Sequence, residues 1–127
     1  LSWRNQYCGV FTCCEKGVTY YFIDNEYYFK RPGCYGYYDD GERFAFFSRS
    51  VMEILPFIGF YPDVLHCHDW QTAMSIVYLK TLFNGVKGYN DIKTILSNVF
   101  GLLGVIFLSV YVLHILTQFF LYKWEQI

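Results

Sequence analysis

Residues 62–80 read "PDVLHCHDWQTAMSIVYLK", and the change of periodicity inside them decides the fold. Pro62 closes a Gly59-Phe60-Tyr61-Pro62 turn, and Asp63 to Cys67 form a short apolar run consistent with a buried strand. Past Asp69 the apolar positions Ala73, Ile76, Val77 and Leu79 to Leu82 predict a helix that ends near Asn84-Gly85. The turn "HCHDW" at 66–70 therefore lies at the carboxyl end of a strand and opens a helix. Ligands of open α/β sheets bind at such ends. Position makes this turn a candidate site.

Its composition raises the question of a metal. His66 and His68, two apart on a strand, project to one face, with Cys67 on the other. Zinc would need further ligands at compatible spacing, and His114, in a distant apolar stretch, is the only other histidine. No metal and no other cofactor is expected. His66 is expected to point into the sheet layer and find a backbone partner. Cys67 is expected to act as a small buried hydrophobe.

Toward the N-terminus, Asp39-Asp40-Gly41-Glu42 predicts a helix start, with Asp39 as N-cap and Glu42 at capping-box spacing. Phe44, Phe47, Val51, Ile54 and Leu55 recur at threes and fours, and Pro56 is expected to stop the helix. "VTYYFID" at 18–24 reads as a strand closed by the turn pair Asp24-Asn25. Between strand and helix runs a long loop, polar and aromatic, whose tyrosine and phenylalanine density argues for order. Strand, helix, strand, helix points to an α/β fold with a parallel, doubly wound sheet.

At 127 residues the chain suits one well-cored domain, and a net charge of −1 gives no overall attraction to nucleic acid or acidic lipid. Aromatics reach 23%, which suits a carbohydrate or nucleotide surface and equally suits an AT-rich coding sequence. Five cysteines without a CxxC pair, and no cleavable leader, point to reduced thiols in the cytoplasm. The chain begins at Leu1, which suggests a fragment.

Two stretches taken together carry a family resemblance. "YYFIDNEYYFKRPGCYGYYDDGERFAFFSRSVMEILP" (20–56), followed by "PDVLHCHDWQTAMSIVYLK", resembles bacterial glycogen synthase and plant starch synthase. The likeness runs from about Trp3 to Thr94, so the expected division is a partial catalytic N-terminal domain at 1–94 and an unrelated tail at 95–127. It implies a partial Rossmann-like domain of the two-domain GT-B arrangement. It also implies retaining transfer of glucose from ADP-glucose to the non-reducing end of an α-1,4-glucan, without a bound metal. His68 matches the family histidine that reaches the donor glucose near the reacting carbon, holding it by hydrogen bonds with no covalent step. Asp69 would cap the next helix and fix the loop, and Trp70 and Gln71 would shape the pocket wall. Asp40 and Arg43 sit in the family's segment beside the acceptor groove, where helix capping and an exposed ion pair is the plainer alternative. Tyr38, with Tyr35 and Tyr37, could stack on sugar faces or simply pack. ADP-glucose and glucan are thus the implied partners, with no nucleic acid.

The likeness also has gaps. The family's Lys-Thr-Gly-Gly donor loop and its C-terminal domain have no counterpart in these residues, so the chain alone is expected to be inactive. After "YNDIKTIL" nothing resembles the family, and from Thr94 to Tyr122 there is no Lys, Arg, Asp or Glu. That run exceeds the roughly 20 residues a bilayer needs, with Lys123 and Trp124 placed for an interface. A membrane-tethered glucan-binding module is therefore the alternative, with membrane contact only through 95–122. A frameshift is the favoured origin of the tail, because the break falls inside a strand with no linker before it.

Overall fold

The computed structural model describes residues 5–98. The chain is α/β, and its strands form two separate two-stranded sheets among those residues. The first is an antiparallel hairpin of β1 (Gly9–Glu15) and β2 (Val18–Asp24), in register from Gly9↔Asp24 to Glu15↔Val18. Its turn is Lys16-Gly17, with φ of 51° and 80°. Positive φ at both central residues matches the right-handed twist of the strands and makes a tight two-residue hairpin. This corrects the expectation of one doubly wound sheet, since β2 returns along β1 instead of joining a parallel neighbour.

After β2, Asn25 caps a one-turn helix α1 (Glu26–Phe29), its Oδ1 accepting from Tyr28 N at 2.9 Å. Its Nδ2 donates to Tyr7 O at 2.7 Å and so ties the segment just ahead of β1 to the start of the loop. An isolated hairpin is marginal in water, so such ties matter.

Helix α2 (Asp40–Ile58) runs through Pro56, which does not stop it. Proline lacks the N–H that would bond back to the carbonyl four residues earlier. Here that carbonyl belongs to Met52, and the Tyr89 hydroxyl donates to it at 2.8 Å. With its one missing donor replaced, the helix continues to a left-handed Gly59 at φ 66°, whose N–H bonds to Leu55 O. An L side chain is strained at that φ, and glycine is not.

The parallel element lies downstream. Strand β3 (Val64–His68), helix α3 (Asp69–Thr81) and strand β4 (Lys93–Ser97) form a βαβ unit, paired from Val64↔Lys93 to His68↔Ser97. This part of the predicted order is present, and α3 ends at Thr81, before the expected Asn84-Gly85. β4 continues past Thr94 to Ser97. The core gathers Met52 and Leu55 of α2, Leu79 of α3, and Tyr89 and Ile92 ahead of β4. Burying each such side chain contributes about 1.5–3 kcal/mol. α2 and α3 meet through small buried residues, among them Ser48 and Ser75, where Ser75 Oγ donates to Ser48 O at 3.4 Å. That contact joins the middles of the two helices, and the ring contact of Phe44 with Trp70 brings their starts together.

No helix among the described residues is long and apolar enough to cross a membrane. The apolar stretch considered as a span or a frameshift product lies, from residue 99 onward, outside the described residues.

Candidate functional site

The site is built at the carboxyl end of β3. His68 is the last residue of the strand, and Asp69 turns the chain into α3 with φ 59°. A non-glycine residue in the left-handed region is uncommon and stores backbone strain that its surroundings must hold. Thr72 supplies part of that hold: its Oγ1 donates to His68 O at 2.7 Å and reaches Asp69 O at 3.4 Å. Asp69 is therefore the first residue of α3, with His68 in the cap position and no side-chain cap bond from it. The expected capping role of Asp69 is corrected accordingly.

His66 and His68 do share a face of β3, with ring centroids 4.2 Å apart and planes at 35°. His66 is exposed, and its Nε2 lies 2.8 Å from Ser97 Oγ on β4. It therefore takes a side-chain partner across the strand pair, where a backbone partner inside the sheet layer was expected. Cys67 faces the other way and is buried. Burial pushes its thiol pKa up, against the opposing pull of the Thr72 and Ser75 hydroxyls. Among the described residues no three His, Cys, Asp or Glu side chains converge as a metal would need, and His114 lies outside them.

Trp70 joins this turn to the rest of the molecule. Its ring meets Phe44 edge-on at 5.1 Å and Tyr35 edge-on at 6.5 Å. Gln71 is half-buried, and its carbonyl accepts from Ser48 Oγ at 3.4 Å. Gln71 and Thr72, with Ile23, Phe29, Phe44 and Phe47, line an open, largely apolar concavity of about 240 Å³.

The loop before α2 is ordered by its own side chains. Arg31 grips Asp39 with both terminal nitrogens at 2.6 Å. This contact holds the Asp39 carboxyl below the usual carboxylate range. Asp39 thus makes no side-chain cap for α2, and Glu42 accepts from the Tyr28 hydroxyl, so the predicted capping box is replaced by two tertiary contacts. Arg43 is 2% exposed. Its Nε donates to Tyr28 O at 2.7 Å, Nη1 donates to Asp40 Oδ1 and Nη2 lies 3.4 Å from Cys34 O. Its guanidinium also lies over the rings of Tyr37 and Phe44, at 5.1 and 5.2 Å. Asp40 Oδ2 accepts from the backbone N–H groups of Gly36 and Tyr37. Asp40 and Arg43 therefore face the loop interior. Tyr38 is fully exposed and Tyr35 largely so.

The comparisons with known proteins bear on what this wall belongs to. The family model described as "Starch synthase catalytic domain" matches residues 1–98. The glycogen synthases of Alkaliphilus metalliredigens and Geobacillus stearothermophilus are each 56% identical over 97 residues, 76% of this chain and 20% of theirs. The catalytic domain of starch synthase IV from Arabidopsis thaliana, bound to ADP and acarbose, superposes with a TM-score of 0.63 at 32% identity. That superposition covers 72% of this chain and 19% of the plant chain. The chain belongs to the starch synthase catalytic-domain family.

All the synthase-like residues just described fall inside the matched stretch, which reaches Asn98 and so takes in the whole of β4. The chain spans about a fifth of the length of the curated glycogen synthases it matches. His68, Asp69, Trp70 and Gln71 are brought together with Tyr35 and Phe44, while Tyr38 is fully exposed. Sequence reasoning missed Arg31, Thr72 and Ser97. Thr72 had a legible signal, four residues past His68, where a hydroxyl reaches the carbonyl of the preceding turn. Arg31 and Ser97 had none, because their partners are set by tertiary folding.

Proposed function

We propose that this chain is the donor-side turn and neighbouring acceptor-side loop of a GT-B glucosyltransferase. The enzyme it belongs to transfers glucose from ADP-glucose, with retention, to the non-reducing end of an α-1,4-glucan in the cytoplasm. The observation that carries the reading is the match over residues 1–98, with the strained His68-Asp69-Trp70 turn at the end of a parallel strand. ADP and acarbose in the related plant structure support a nucleotide and a glucan as ligand classes.

In this reading His68 hydrogen-bonds the donor sugar beside the reacting carbon. Trp70 and Gln71 form the wall next to it, and Asp69 sets the bend of the turn. Transfer requires groups that hold the donor and neutralise charge growing on the leaving diphosphate. Asp40 and Arg43 act indirectly, shaping the loop that carries Tyr35 and Tyr38 toward the glucan. The 127-residue chain alone offers one wall of such a cleft, and we propose that it transfers no glucose by itself.

The test places residues 1–98 in the Alkaliphilus metalliredigens glycogen synthase, in exchange for the 97-residue stretch they match. The chimera is expected to incorporate labelled glucose from ADP-glucose into glycogen. A hydrogen bond involving a charged group contributes about 1.5–3 kcal/mol. At 1.36 kcal/mol per decade, His68→Ala should lower kcat by about one to two decades. Normal turnover in that variant would sink the assignment of His68.

A further inference from the structure

His66 has no part in the reading above, yet it is the ring packed against His68, at 4.2 Å between centroids. Both residues are exposed, His68 at the end of β3 and His66 at its middle. An exposed imidazole ordinarily samples several staggered rotamers, so pairing of the strands does not by itself orient either ring. The second strand supplies the restraint. Ser97 is the residue directly paired with His68 in the parallel register. Its hydroxyl lies 2.8 Å from His66 Nε2, so the hydrogen bond runs diagonally across the strand end to the companion ring. The carbonyl of His68 is held separately, by the Thr72 hydroxyl at 2.7 Å. The backbone of His68 thus has the Thr72 bond, and its ring has the Ser97-bonded ring of His66 beside it.

We infer that His66, anchored by Ser97, is a positioning residue that sets the ring orientation of His68. The inference rests on the reading of His68 as the group facing the donor sugar. What His66 contributes is a flat ring face and one bond to β4. A phenyl ring at that position keeps the first and loses the second.

Proton NMR on the full chain tests this. Its three histidines allow each set of ring protons to be assigned by single substitution. A ring 4.2 Å away and tilted by 35° turns much of its face to its neighbour and displaces that neighbour's protons upfield, so those of His68 should lie upfield in the wild type. His66→Ala should return them toward the random-coil position. His66→Phe and Ser97→Ala, which each lose the bond to β4, should both leave an intermediate value, and Ser97→Thr should keep the wild-type one. An unchanged amide pattern away from the strand end would show that the variants are folded. His68 signals unmoved by His66→Ala would overturn the inference. Glucose transfer from ADP-glucose is then measured in the chimeric synthase carrying residues 1–98, as wild type, His66→Ala and His68→Ala. A lower kcat in both variants supports both readings. His68 signals that move with His66→Ala, in a chimera whose turnover is indifferent to His68→Ala, would overturn the donor reading and leave the ring restraint standing.

Discussion

Replacing Arg43 by alanine should disorder the loop ahead of α2 and cost about 3 kcal/mol of stability. The Arg43 and Asp40 side chains are only 3% and 13% exposed where they pair. Breaking a buried pair by removing one partner costs about 3–5 kcal/mol, because a buried charge is left uncompensated. Asp40 would keep the N–H groups of Gly36 and Tyr37, which offset part of that loss. The carbonyls of Tyr28 and Cys34 would lose their donor as well. The lower end of the range is therefore expected. Against a domain stability of about 5–15 kcal/mol this is a large fraction. Urea unfolding of the full chain measures the total, and hydrogen exchange at Gly36 and Tyr37 locates it. A local loss of about 3 kcal/mol corresponds to roughly a hundredfold faster exchange at those amides. Arg43→Lys should recover only part, because an ammonium cannot reach three acceptors in one plane. A loss below about 1 kcal/mol, with Gly36 and Tyr37 still protected, would refute the view that Arg43 staples the loop.

Tyr89→Phe removes the donor to Met52 O and should cost about 1–3 kcal/mol in urea unfolding. Adding Pro56→Ala restores a backbone N–H for the same carbonyl, so the double variant should be more stable than Tyr89→Phe alone. The carboxyl of Asp39 is depressed by Arg31, and a depressed carboxylate contributes stability above its unfolded pKa that is lost as pH falls through the folded one. Melting temperature should therefore drop as pH falls below about 4, and Asp39→Asn should flatten that slope. Cys67 is buried, with its thiol pushed up, whereas Cys8, Cys13, Cys14 and Cys34 are exposed. Peptide-resolved alkylation at pH 8 should label those four first, with Cys67 reacting only on unfolding.

The βαβ unit was legible because its signals are local. An apolar run, a break at His68-Asp69 and a helical apolar repeat need no knowledge of the rest of the chain. The hairpin was not read, although Lys16-Gly17 between two β-rich runs was its signal. A strand's own residues look alike whether its partner lies parallel or antiparallel, so β2 was placed in the wrong sheet. Pro56 misled for a related reason. Proline ends a helix when the freed carbonyl has no other donor, and the donor here is Tyr89, which is remote in sequence. Asp39 and Glu42 had the spacing of a capping box, but Arg31 and Tyr28 offered partners that the spacing cannot reveal.

The same distinction explains which site residues could be named in advance. His68, Asp69, Trp70 and Gln71 are contiguous, so the strand-to-helix junction delivers them together. What fixes their geometry is not contiguous. Trp70 leans on Phe44 at the start of α2, and Phe44 lies under the guanidinium of Arg43. Arg43 in turn holds the loop that brings Tyr35 to the other edge contact of Trp70. The turn and the aromatic loop are therefore one mechanical unit, joined through a residue that touches neither the concavity nor the solvent. A variant such as Arg43→Ala should consequently disturb Trp70 and Tyr35 together. Separate responses of the two, read as Tyr35 ring signals that shift while those of Trp70 stay in place, would show that the loop and the turn are independent.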